Sequence, residues 1–187
     1  MRFQKVNFIL LFLLFFMLST FSFAEKTFVG YWKILSGKSI IHIVKEGNSY
    51  SGYVVWLKEP TYSKGDKQAG QPKKDRFNPD TSLQGRNVLG LKVAGNLVPD
   101  GTTKLKNGWV YDPFHGKKYL GTAEIIDDNT VRIRGSLDKN GIFGYTMECK
   151  RINPSKYGIK EKTIEKENYL EKFKKISYST SFDTYFC

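Results

Sequence analysis

The sequence predicts an all-β fold of about eight short antiparallel strands, with an export leader before it and a partly helical tail after it. Three observations predict this. Apolar and polar residues alternate at period two between residues 28 and 151, turn-forming pairs punctuate that alternation, and past Pro154 the composition shifts to a stretch charged in both signs.

The leader comes first. Arg2 and Lys5 precede an apolar run from Phe8 to Leu18, and Ser22 and Ala24 stand where a signal peptidase reads its small residues. The apolar run is eleven residues, whereas a membrane-spanning helix needs ~20. Residues 1–24 are therefore expected to be a cleaved signal peptide. A periplasmic or secreted location follows, with no transmembrane span after cleavage. Removing 24 of 187 residues leaves 163, enough for one domain, with 28 of the 30 basic residues against 18 acidic ones. That surplus points to solubility and to anionic envelope surfaces, not to nucleic acid.

The strands are read in order. In 28–34, Phe28, Gly30, Trp32 and Ile34 share one face. The run 40–44 is apolar on both faces, so it should be covered on both sides. Gly47 and Asn48 turn the chain into 50–57. Residues 58–84 are rich in Lys, Gly, Pro, Asp and Gln and read as a long loop, a feature that is uncommon in a compact domain and usually functional or mobile. Shorter strands are expected at 87–93 and 108–112. Residues 118–126 and 130–137 form a hairpin, with Val131, Ile133, Gly135 and Leu137 on one face and Arg132, Arg134 and Ser136 on the other. The last strand is 142–151. Such strands bury their apolar faces either in two packed sheets or in a closed barrel.

Past the strands, Tyr169, Leu170, Phe173 and Ile176 fall at helical spacing within a charged segment, which predicts a short amphipathic helix. The two cysteines, Cys149 and Cys187, offer two readings: a disulfide tying the last residue to the domain, or one buried and one free thiol.

Catalytic signatures are missing from the sequence pattern. His42 and His115 have no metal-ligand spacing, and no Gly-x-Ser-x-Gly elbow or phosphate-binding glycine loop occurs. Neither a catalytic residue, a metal nor a cofactor is expected. The aromatics say more: Trp32, Tyr111, Tyr119, Phe143 and Tyr145 fall on sets expected to face an interior, where rings with polar tips suit a pocket for an apolar ligand or fill a closed barrel.

Gly30-Tyr31-Trp32 near the first strand and Arg151 at the end of the last become neighbours only if the sheet wraps round, letting the guanidinium stack on the indole. This pairing resembles the Gly-x-Trp and carboxy-terminal Arg of lipocalins and related calycin barrels. The order of motifs also resembles a secreted bacterial family, domain of unknown function 2147 (DUF2147). The matching pieces are Gly30-Tyr31-Trp32, Gly52-Tyr53-Val54-Val55-Trp56-Leu57, Asp75-Arg76-Phe77-Asn78-Pro79, Leu89-Gly90-Leu91, Tyr111-Asp112-Pro113 with Gly116-Lys117-Lys118-Tyr119, Val131-Arg132-Ile133-Arg134-Gly135, and Lys150-Arg151. The resemblance implies an eight-stranded antiparallel lipocalin-like barrel, exported across the inner membrane and without an assigned reaction. The chain departs from the pattern at Cys149, where the family usually has Trp, and over 153–187. Three segments are thus expected: 1–24 signal peptide, 25–152 barrel, 153–187 partly helical extension.

The function expected is non-catalytic binding of a small hydrophobic or amphiphilic ligand, in the barrel or at its rim. Its contacts would be Trp32, Trp56, Tyr111, Tyr119, Arg134 and Tyr145, with Arg134 facing an anionic headgroup. The rival is an envelope-associated structural or interaction protein whose filled barrel acts through its basic surface. A hydrolase using Asp75, Asp112 or His115 is the third reading.

Overall fold

The structure is a computed structural model and describes residues 26–160. The expected signal peptide, most of the expected tail helix, and Cys187 lie outside the described residues.

Eight strands follow one another: β1 Gly30–Ile34, β2 Ser39–Glu46, β3 Ser49–Leu57, β4 Lys92–Pro99, β5 Lys104–Asp112, β6 Lys117–Asp127, β7 Thr130–Ser136 and β8 Gly144–Arg151. Each pairs antiparallel with the next, and β1 pairs with β8, so the sheet closes into a barrel without edges. Register shifts between β2 and β3, β3 and β4, β5 and β6, and β6 and β7 are the irregularities that let a sheet curl onto itself. Alternation puts Val131 and Ile133 inside and Arg132 and Arg134 on the outer face. In β2, Ile40, Ile41, His42 and Ile43 are all buried, as a strand apolar on both faces requires.

One end of the barrel is closed. Trp32 lies directly across from Arg151 in the β1–β8 register, is fully buried, and donates its indole N–H to the Phe28 carbonyl at 2.7 Å. The Arg151 guanidinium carbon stands 4.1 Å from the centroid of that indole. Its N–H groups donate to the carbonyls of Thr27 (2.6 Å), Val29 (3.0 Å) and Asp128 (3.0 Å). One side chain therefore ties the amino-terminal segment, the last strand and the β6–β7 turn together. Gly30 makes room for it: its φ is +140°, and a Cβ there would lie 2.6 Å from the guanidinium.

Two sequence expectations need correction. The fourth strand is Lys92–Pro99, not 87–93. Asn96 takes a left-handed φ of 56° within the strand, and Pro99 stands at its last position, where a missing N–H does least harm. Past Arg151, the described residues contain only a 3-10 turn, Pro154–Tyr157, in place of helix. Its Tyr157 packs edge-on against Trp56 at 5.3 Å.

The 58–91 connection between β3 and β4 is ordered, held by the short bridges Thr61↔Pro72 and Lys74↔Asn87 and by a 3-10 turn at Thr81–Leu83. It lies at the end of the barrel opposite Trp32, together with the β1–β2, β5–β6 and β7–β8 turns.

Candidate ligand cavity

Inside the barrel, between the Trp32 plug and the 58–91 loop, lies a cavity of about 660 Å³. That is within the range of small-molecule sites, about 300–1,000 Å³. Its walls are apolar, among them Ile43, Val54, Leu105, Ile133 and Met147. The space exists because several inward positions on the middle strands are small: Gly52, Ala94 and Ala123 all line it. The large rings sit at the ends instead, with Phe28 and Trp32 at the plug and Tyr111 and Tyr145 toward the mouth. At the mouth the lining turns polar, with exposed Ser36, Lys38, Lys58, Glu59 and His115 and half-buried Lys73. Lys73 is paired with Glu59 at 3.4 Å, while Lys38 and Lys58 have no carboxylate within ion-pair distance among the described residues.

The mouth is shaped by a buried carboxylate. Asp75, with no exposed surface, accepts from the Tyr111 hydroxyl (2.6 Å), the Asn78 amide (2.8 Å) and the Arg86 guanidinium (2.8 and 2.9 Å). Asn78 also donates to the Tyr111 oxygen at 3.0 Å. This cluster latches the long loop to β5. Burial, and then the Asp75 hydrogen bond and charge, push the Tyr111 hydroxyl up to about 12, so it stays protonated and donating. Beside it, Gly116 packs so closely that a Cβ would meet the Phe77 carbonyl oxygen at 1.7 Å. Asp112 accepts from the Phe114 N–H at 2.9 Å and from His115 Nδ1 at 2.6 Å, so the Asp112–His115 pair holds the β5–β6 turn at the rim of the cavity.

Of the six residues expected to touch ligand, Tyr111 and Tyr145 line the cavity. Burial, then the Asp112 charge, hold the Tyr145 hydroxyl at about 12. Tyr119 stands behind Tyr145, edge-on at 4.9 Å, and is not itself a lining residue. The other three are placed elsewhere. Trp32 is the plug. Trp56 packs on Tyr157 and does not line the cavity. Arg134 projects outward to the Thr146 hydroxyl (2.9 Å) and the Gly141 carbonyl, so it cannot meet a headgroup in the barrel. Phe143, expected inside, is 68% exposed at the mouth. Sequence reading missed Asp75, Asn78 and Arg86 as a unit. The Asp-x-x-Asn spacing was visible, but nothing in it showed that Tyr111 and Arg86 converge on the carboxylate. Cys149 points into the core as a free thiol, raised to about 12 chiefly by burial.

A closed eight-stranded barrel, plugged by a Trp–Arg stack at one end and hollow toward the other, is a lipocalin-like fold. The chain belongs to the family of uncharacterized proteins conserved in bacteria designated DUF2147, whose model matches residues 30–151. Among solved structures it is similar to protein HP1028 from the human pathogen Helicobacter pylori, described as belonging to the lipocalin family. The identity is 22%, the TM-score 0.58, and the match covers 70% of this chain and 86% of that one. No curated protein matches the sequence.

Proposed function

We propose that this protein is an exported, non-catalytic binding protein that holds a small, largely apolar or amphiphilic ligand inside its barrel. The observation that carries the reading is the 660 Å³ apolar cavity, hollow where a filled barrel would have large side chains at positions 52, 94 and 123. A polar end of the ligand would face the mouth, where Lys38 and Lys58 replace Arg134 as the cations within reach. Export rests on the pattern of residues 1–24. What weighs against the filled-barrel alternative is that Trp32 lies outside the cavity lining and that Tyr111 and Tyr145 line it only toward the mouth.

Filling the cavity tests this. Titration with the amphiphilic, anionic fluorophore anilinonaphthalene sulfonate should show saturable binding. Ala123→Phe, midway along β6, or Val110→Phe, nearer the mouth, each at a position lining the cavity, should weaken it at least tenfold, about 1.4 kcal/mol. Unchanged affinity in folded variants would place the probe elsewhere and overturn the reading.

A further inference from the structure

The two ends of the barrel differ in polarity and in charge. Four connections surround the mouth: 35–38, 58–91, 113–116 and 137–143. They present Leu35 (66% exposed), Leu137 (68%), Ile142 (69%) and Phe143 (68%), with Phe77 (51%) and Phe114 (41%) beside them. Single exposed apolar residues are ordinary, but several gathered round one opening mark an interaction surface. The β7–β8 tip is built to hold its pair outward: the Asp138 carboxylate accepts from the backbone N–H groups of Ile142 (3.0 Å) and Phe143 (2.7 Å). The same four connections carry nine Lys or Arg against five Asp or Glu. Three of those acids are already matched, Asp75 by Arg86, Asp66 by Arg76 and Glu59 by Lys73. At the plugged end the hairpin turns 47–48, 100–103 and 128–129 hold two Asp, no Lys or Arg, and no large apolar residue. The cations beside the last of these turns are Arg151, at the end of β8, and Lys160, beyond it, with Arg151 held by backbone carbonyls.

We infer that the protein docks mouth-first on an anionic lipid surface. Apolar tips can enter the boundary between headgroups and acyl chains, while the neighbouring cations meet lipid phosphates at about 1 kcal/mol each. Charge decides between occupants. A second copy packed mouth to mouth would oppose two positive rims, which is costly, whereas an anionic bilayer complements one. Docking stands on the rim alone and does not require the cavity to be occupied. With an occupied cavity, it lets an apolar ligand pass between bilayer and barrel without crossing water.

The test is co-sedimentation of protein purified from its producing cells with vesicles of phosphatidylcholine, alone or mixed with phosphatidylglycerol. Binding is expected to the mixed vesicles. It should fall as salt rises from about 0.1 to about 1 M, where the screening length shrinks from about 10 to about 3 Å. The double variants Ile142→Ser/Phe143→Ser and Lys38→Ala/Lys58→Ala should each partition at least fivefold less at unchanged thermal midpoint, because these side chains support no part of the fold. Wild-type partitioning in both variants, or equal binding to pure phosphatidylcholine, overturns the inference. So does a dimer that I142S/F143S converts to monomer without altering vesicle binding, since the rim would then be a contact between copies. Probe affinity in the cavity should be unaffected by I142S/F143S, which keeps this result separate from that of the cavity-filling variants.

Discussion

His42 carries a consequence of burial that a titration can read. It sits on β2 with 8% of its surface exposed, stacked on Tyr31 at 4.2 Å and 5°. Burial lowers its pKa below the ordinary 6.5. The folded state therefore resists protonation while the unfolded chain takes a proton near 6.5, so stability is full above that pH and falls as pH drops through it. Urea unfolding between about pH 7.5 and 5.5 should show that loss, and His42→Gln should flatten it. The carboxylates of Asp66, Asp80, Asp127 and Asp138, all held low by hydrogen bonds, lose their contributions only at more acidic pH. At this scale the sequence was partly legible. The Trp32–Arg151 stack followed from wrapping the sheet, because strand register is set by alternation. Whether an inward ring lines a cavity or plugs an end depends on its height in the barrel, which alternation does not encode, and Trp32 was therefore misplaced among the ligand contacts. Arg134 was misplaced although the alternation itself put it opposite Ile133.

Among the elements, the 58–91 connection matters most. Its composition marked it as a long loop, and the fold makes it a fixed wall of the mouth through Asp75. Asp75→Asn should cost about 2 kcal/mol in urea unfolding, less than the 3–5 kcal/mol of a wholly buried pair because Arg86 is 40% exposed and keeps water as a partner. Limited proteolysis should then cut within 58–91 while the barrel strands stay intact. A loop as resistant as the wild type would show that Asp75 does not latch it. The convergence of Tyr111, Asn78 and Arg86 on that carboxylate spans up to 36 positions, so no local pattern announces it. The displaced fourth strand has a different cause: a left-handed Asn within a strand has the same signature as a turn until its partner strands are known.

At the scale of the whole molecule, small residues midway along the strands and large rings at their ends make a vessel with a floor, a hollow and a charged, apolar-tipped opening. The number of strands and the hairpin turns were readable because hydrophobic burial enforces them; burial alone left two packed sheets and a closed barrel open, and closure came from the resemblance carried by Trp32 and Arg151. The hollow was not readable, since aromatic content gives the volume of rings and not where they stand. The most direct measurement is native mass spectrometry of the protein purified from its own host under non-denaturing conditions. A retained small molecule is expected, released on unfolding and absent from Ala123→Phe. A wild-type protein that emerges at its polypeptide mass, and takes up no apolar probe afterwards, would contradict it.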